Sequence, residues 1–205
     1  MPSTEKPVGA TIGWTILETT WPFVTPWMRL RQDRIHIEGQ GDTTYTYHDH
    51  SGSVVIVPLT GSGDIVLIRQ YRYPVDAWCL EVPAGGVAPG GVAPRDEARS
   101  SILEVARMEL REELGATAAD MRHVASYYPA NAVSNEVCHI YLALGVEFTQ
   151  RQRLESTEYI HICPTPAHEA LRLARTGQIQ DGFSALAILM CEELLREQGV
   201  LETQA

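Results

Sequence analysis

Hydrophobic and polar positions change period along this chain, and each change predicts an element. From Arg34 to Glu38 and from Thr43 to His48 they alternate on either side of Gly39-Gln40-Gly41, which predicts a hairpin. Ser53–Leu59 (SVVIVPL) and Asp64–Gln70 (DIVLIRQ) are β-branched runs separated by Thr60-Gly61-Ser62-Gly63, a second hairpin. Runs of this kind suit a sheet buried on at least one face. From about Asp96 to Leu114 the pattern turns helical, with Gly115 placed to stop it. Strand-like pieces follow at His123–Tyr128, Glu136–Leu144 and Glu158–Cys163. Two helices close the chain, Pro166–Arg175 and Phe183–Gln198, the second with an apolar stripe of Leu186, Leu189, Met190 and Leu194. Residues 1–25 are mixed, and Pro2, Pro7, Pro22 and Pro26 interrupt any regular element there. Strands flanked by helices give an α/β (α+β) domain; periodicity does not supply the strand order.

At 205 residues and 44% hydrophobic content the chain can bury a core, and 20% charged residues argue against bulk disorder. A net charge of −10 argues against a nucleic-acid partner, since phosphate backbones are held by clustered Lys and Arg. The four cysteines, Cys79, Cys138, Cys163 and Cys191, form no C-x-x-C pair and read as reduced, mostly buried thiols. The N-terminus shows no basic stretch followed by an apolar run, and nowhere do ~18 apolar residues run together. No membrane association is expected, and the cytoplasm is the expected location.

The chemistry concentrates in Glu109-Leu110-Arg111-Glu112-Glu113-Leu114-Gly115. At about 100° per residue on a helix, Glu109, Glu112 and Glu113 share one face. Three like charges so placed repel one another, and a hard divalent cation with a preference for oxygen ligands resolves the repulsion. Taken alone, the run more often means a solvated acidic face. Upstream, residues 86–90 read GVAPG and residues 91–95 read GVAPR, a tandem duplication whose Gly and Pro forbid a regular helix. His48-Asp49-His50 has a metal-like composition but is expected to be exposed turn chemistry.

The acidic helix resembles the second half of the Nudix box, G-x5-E-x7-R-E-U-x-E-E-x-G-U, where U is bulky and apolar. Glu109, Leu110, Glu112, Glu113 and Gly115 match it. Ile68-Arg69-Gln70-Tyr71-Arg72 and Leu80-Glu81-Val82-Pro83-Ala84-Gly85 resemble the QYR and E-x-P-A-G elements of the ADP-ribose pyrophosphatase branch. Tyr127-Tyr128-Pro129, the run from Ser134 to Ala143 and Gly177-Gln178-Ile179-Gln180-Asp181-Gly182 continue the likeness, which spans about Trp27 to Glu193. There are departures. Met108 stands where the box has Arg, and the distance from Gly85 to Glu109 exceeds the family spacing. Treating one GVAP copy as an insertion makes Gly91-x5-Glu97 the first half of the box; a competing alignment puts Gly91 itself at the glutamate position. Met108 leaves a box carboxylate without its partner and implies slow turnover, or else it has repacked into an apolar site.

The resemblance implies a Nudix fold: a mixed β-sheet core sandwiched between helices, with an N-terminal antiparallel β-hairpin extension. Residues 1–52 would form that extension and residues 53–205 the hydrolase domain. It implies that Glu109, Glu112, Glu113 and the Ala84 carbonyl bind Mg²⁺ or Mn²⁺, and that a loop glutamate acts as base. Glu158, just before a strand, matches that position best, and Glu155 is the alternative. Arg72 would contact the diphosphate, Trp27 would stack on the base, and Tyr47 or Tyr45 would supply the other face of a sandwich. The implied activity is hydrolysis of a nucleoside diphosphate sugar, foremost ADP-ribose to AMP and ribose 5-phosphate, by a homodimer. The alternative is a catalytically weak nucleotide-binding or interaction protein.

Overall fold

A computed structural model describes residues 5–87 and 95–201, the side chains of residues 95–101 excepted. After a single helical turn, α1 (Pro7–Ala10), three antiparallel strands form a sheet of their own: β1 (Trp14–Val24), β2 (Arg29–Ile37) and β3 (Gly41–His48). The hairpin expected around Gly39-Gln40-Gly41 is β2–β3. Strand β1 was not expected, because Pro22 lies inside it. The ladder to β2 tolerates the proline by shifting register between Thr20 and Phe23, so that Trp21 and Pro22 fall outside the pairing.

The second sheet has seven strands: β4 (Ser53–Thr60), β5 (Asp64–Arg72), β6 (Ala77–Glu81), β7 (Ala84–Gly86), β8 (Ala116–Tyr127), β9 (Cys138–Phe148) and β10 (Ile160–Pro166). Its order is β10-β5-β4-β9-β8, with β6 on β5 and β7 on β4. Pairing of β4 with β9 is parallel and the other ladders are antiparallel, so the sheet is mixed. Strands β4 and β5 meet at Leu59–Ile65 and then part. Beyond that point β5 continues against β6, and β4 takes β7 at Val55–Ala84. The split sheet places the Glu81-to-Gly86 turn at its opening, with Glu81, Val82 and Pro83 buried and Ala84 to Gly86 reaching the surface.

Alternation sorts the central strands onto two cores. Val55, Val57, Ile65, Leu67, Ile140 and Leu142 face one side, which is covered by α3 (Ala167–Arg175), α4 (Gly182–Met190) and α5 (Glu192–Glu197). Val54, Ile56, Val66, Ile68, Tyr141 and Ala143 face the other, against Ala106, Leu110 and Leu114 of α2 (Arg95–Leu114). A sheet buried on both faces is why its strands read as continuous apolar runs.

The last predicted helix needs two corrections. It breaks at Cys191 into α4 and α5. The expected stripe is also rotated: Ser184, Ala187, Ile188, Cys191 and Leu195 are buried, while Met190 is 41% exposed. Ser184 can face the core because its hydroxyl is paired on both sides, donating to Asp181 and accepting from the Val82 amide. Cys138 and Cys191 are buried and Cys79 and Cys163 half-buried, all as free thiols. No helix among the described residues is long and apolar enough to cross a membrane.

The N-terminal sheet is tied to the rest through the segment from Ala130 to Asn135. The Tyr45 hydroxyl donates to the Ala132 carbonyl at 3.1 Å and the His48 amide to the Val133 carbonyl at 2.8 Å. The His50 amide donates to Asn135 Oδ1 at 2.7 Å. Asp49 is buried rather than exposed as expected. It accepts from Asn135 Nδ2 at 2.9 Å and pairs with Arg29 at 3.0 Å, so the His-Asp-His run is a joint between the two sheets.

Candidate active site

Helix α2 buries Ala106, Leu110 and Leu114 at four-residue spacing, which turns Glu109 and Glu112 toward a cleft of about 580 Å³. Two glycines shape the surroundings. Gly115 has φ +64°, and a Cβ there would lie 2.2 Å from the Gln150 carbonyl, so only glycine ends the helix this way. The close approach lets the loop after β9 cover the helix C-terminus, where carbonyls lack helical partners. The Arg153 amide donates to the Glu112 carbonyl at 2.8 Å, and Gln152 Nε2 donates to the Glu113 carbonyl at 2.6 Å. That clasp carries Glu155 and Glu158 to the cleft wall, where the Glu155 amide donates to Glu158 Oε2 at 2.8 Å.

Gly85 is the second. A Cβ there would lie 2.0 Å from Glu109 Oε1, so the absence of a side chain makes the space in which the Glu109 carboxylate sits. The neighbouring Ala84 amide donates to Glu113 Oε2 at 3.1 Å. This turn is pinned from behind: Asp181 caps α4 by accepting from the Ser184 amide, and Ser184 Oγ accepts from the Val82 amide at 3.0 Å. The Gly177-to-Gly182 element therefore acts by holding the Pro83-Ala84-Gly85 turn against α2.

Crowding sets the electrostatics. Burial raises the Glu109 carboxyl to about 7, with help from the charges of Glu112, Glu158 and Glu155. Glu113, 3% exposed, is pushed well above the ordinary carboxylate range by burial and by Glu109 and Glu158, against the opposing pull of the Ala84 amide and Arg72. Glu158 thus acts on both box carboxylates. Arg72 lines the same cleft, but Glu81 holds it from two sides, Nε to Oε1 at 2.9 Å and Nη2 to Oε2 at 2.6 Å. This hydrogen bonding raises the guanidinium's pKa further, against the opposing effect of burial.

Trp27, 81% exposed, stands at the cleft with Pro26 and Met28. Tyr47 does not join it. Its ring is buried beside a separate cavity of about 590 Å³ between the N-terminal sheet and the 128–137 segment, with Tyr45, Trp14 and Tyr128. Within one chain the expected sandwich of Trp27 with Tyr47 or Tyr45 is therefore not assembled. Met108 is 39% exposed and lines the cleft, so it has not repacked into an apolar core site. The side chain of Glu97 lies outside the described residues. Sequence reasoning missed Arg29 and Arg153, both in the cleft wall. Their signal is faint, since a lone Arg in a strand or loop is ordinary until the fold places it beside acids.

Among the described residues no three His, Cys, Asp or Glu side chains stand ready as a cation-binding group. As they stand, Glu113 is turned to the Ala84 amide and Glu112 Oε1 lies 3.9 Å from Arg153. The donor chemistry nonetheless fits a hard divalent cation. The candidate donors are all oxygen, the carboxylates are crowded enough to resist ionising together, and Gly85 leaves room beside Glu109.

Residues 49–186 match the family model for the NUDIX domain. The chain belongs to the Nudix family. It is 30% identical over 161 residues to an ADP-ribose pyrophosphatase of Mycobacterium tuberculosis (strain ATCC 25618 / H37Rv), covering 78% of this chain and 74% of that protein. It is 28% identical over 152 residues to the ADP-ribose pyrophosphatase of Bacillus subtilis (strain 168), covering 73% and 77%. A solved ADP compounds hydrolase superposes with a TM-score of 0.75 at 19% identity, over 92% of this chain and 97% of that one, which shows the shared fold. The chain is thus a Nudix pyrophosphohydrolase of the ADP-ribose pyrophosphatase-like branch, and enzymes of this family generally depend on a divalent metal.

Proposed function

We propose that this Nudix protein hydrolyses the diphosphate linkage of a nucleoside diphosphate sugar, with ADP-ribose, giving AMP and ribose 5-phosphate, as its leading substrate. The observation that carries the reading is the convergence of Glu109, Glu112, Glu158 and Arg72 on one cleft, with Glu113 buried behind it within the field of Glu109, Glu158 and Arg72. The pyrophosphatase relatives support the substrate class.

Glu109, Glu112, Glu113 and the Ala84 carbonyl would hold Mg²⁺ or Mn²⁺, which when bound neutralises phosphate oxygens and acidifies water. Glu158 accepts the proton of the attacking water at its carboxylate. The water oxygen bonds to one phosphorus as the bridging P–O bond breaks, and the electron pair stays on the leaving phosphate oxygen. Glu81 occupies Nε and Nη2 of Arg72, which leaves Nη1 for a phosphate oxygen. Trp27 offers an exposed indole face to the base.

With millimolar Mg²⁺ or Mn²⁺, purified protein is expected to release AMP from ADP-ribose, and a chelator is expected to abolish the release. A panel of other nucleoside diphosphate sugars, coenzyme A and oxidised nucleotides ranks the alternatives. Turnover of none of them would favour a nucleotide-binding protein over a hydrolase.

Residues 1–52 are proposed as an extension that pairs two copies, and residues 53–205 as the hydrolase domain. The N-terminal sheet and its turn leave Trp14, Leu17, Trp21, Phe23, Val24 and Trp27 exposed, more apolar surface than an isolated sheet ordinarily presents to water. Light scattering at micromolar concentration is expected to give twice the 22.7 kDa chain mass, and a monomer there would refute the pairing.

A further inference from the structure

We propose that Arg153 is a substrate-binding residue whose guanidinium leaves Glu112 for a phosphate oxygen of the incoming nucleoside diphosphate. The proposal rests on the hydrolase reading above and adds a residue to it.

Among the described residues three arginines line the cleft, Arg29, Arg72 and Arg153, and they are held very differently. Arg29 lies 3.0 Å from Asp49, whose side chain is 2% exposed. Arg72 is gripped through two bonds by Glu81, whose side chain is 4% exposed. Moving either guanidinium away would leave a buried carboxylate without its cation, which is strongly unfavourable. Arg153 is 69% exposed, and its approach to Glu112 is 3.9 Å, too long for a hydrogen bond. It can leave at little cost, because exposed ion pairs are weak.

The root of Arg153 is fixed by contrast. Its amide is bonded to the Glu112 carbonyl, Gln152 is bonded to the Glu113 carbonyl, and Leu154 packs against the α2 core. A fixed backbone with a loosely held guanidinium suits capture of a phosphate, which presents oxygens to the planar fork. The cleft also needs such a cation. Glu112, Glu155 and Glu158 line it with acids that repel a diphosphate, and Met108 on the same wall contributes no charge. Transfer of Arg153 to the substrate would free the Glu112 carboxylate at the moment the diphosphate arrives.

The test uses the full chain with Arg153→Met and Arg153→Lys, and Arg122→Met as a control, since Arg122 pairs with Asp120 outside the cleft. Affinity for ADP is measured by calorimetry with Mg²⁺, and KM and kcat are measured for ADP-ribose. Arg153→Met is expected to weaken ADP binding and raise KM by roughly tenfold or more, with kcat changed by less than about threefold and an unchanged melting temperature. The lysine variant should fall between, because it keeps the charge without the fork, and Arg122→Met should match wild type. ADP affinity and KM within about twofold of wild type in Arg153→Met would overturn the proposal. So would a fall in kcat at unchanged ADP affinity, which would mean that Arg153 acts on Glu112 and not on the ligand. If wild type turned over no nucleoside diphosphate yet ADP binding still depended on Arg153, the hydrolase reading would fail and this assignment would stand.

Discussion

Replacing Glu113 with Gln should abolish most turnover and at the same time stabilise the metal-free protein at alkaline pH. The two effects come from one carboxylate. Removing its charge takes away a ligand for the cation, and the transition-state charge stabilisation at risk is several kcal/mol, so kcat/KM for ADP-ribose should fall on the order of 10³-fold. Glu112→Gln should lose activity similarly, without the stability gain, since Glu112 is more exposed. The stability effect follows from linkage. Glu113 and Glu109 have folded pKa values above their unfolded ones, Glu109 at about 7. Groups of this kind contribute stability that is fully present below the unfolded pKa, about 4.5, and lost as pH rises through the folded value. Metal-free wild type should therefore melt at progressively lower temperature as pH rises from about 5 to 8, and added Mg²⁺ should recover more of the loss at pH 8 than at pH 5. The glutamine in Glu113→Gln stays neutral, and its carbonyl oxygen still accepts from the Ala84 amide. Its melting temperature should exceed that of wild type at pH 8 and match it at pH 5. Undiminished activity in both variants would remove the acidic cluster from the mechanism; a metal-free wild type whose melting temperature rises between pH 5 and 8 would contradict the crowding.

How much of this was legible in the sequence depended on whether the determining physics was local. The runs at Ser53–Leu59 and Asp64–Gln70 announced β4 and β5 because strands buried on both faces must be apolar throughout. The acids of α2 were legible because helical spacing alone puts them on one face. Strand β1 was hidden by Pro22, which only a bulge paired against β2 makes tolerable. The burial of Ser184 was hidden because one of its partners, the Val82 amide, reaches it only across the fold. The same holds for the cleft's cations. Arg72 was read as a diphosphate contact, and the structure adds that Glu81 grips its Nε and Nη2. Arg153 gave only a faint signal, since nothing in Arg151-Gln152-Arg153 says that Gly115 admits the loop onto the helix end. Met108 is the mixed case. Its lack of charge was readable, and its place in the cleft wall was not.

The other large effect is expected at Glu158, and it separates two acids that sequence spacing left as alternatives. Both line the cleft, but their surroundings differ. Glu158 is half-buried and raises the pKa of both Glu109 and Glu113, whereas Glu155 is exposed and acts on Glu109 alone, as the weakest of the charges that do. The Glu155 amide moreover donates to Glu158 Oε2, so residue 155 supplies the backbone donor that fixes the carboxylate of residue 158. An oriented carboxylate close to the box acids is what a base for the attacking water requires. Glu158→Gln should lower kcat on the order of 10²-fold while KM changes by less than about threefold, because proton transfer is lost and the phosphate contacts remain. Glu155→Gln should lose less than about threefold, since its backbone N–H, the part that orients Glu158, is kept. A Glu155→Pro variant, which deletes that N–H, should lower kcat more than Glu155→Gln does, provided its melting temperature shows the loop intact. If Glu155→Gln instead carried the large loss and Glu158→Gln were nearly silent, the loop would still be the source of the base, with the two residues' roles exchanged.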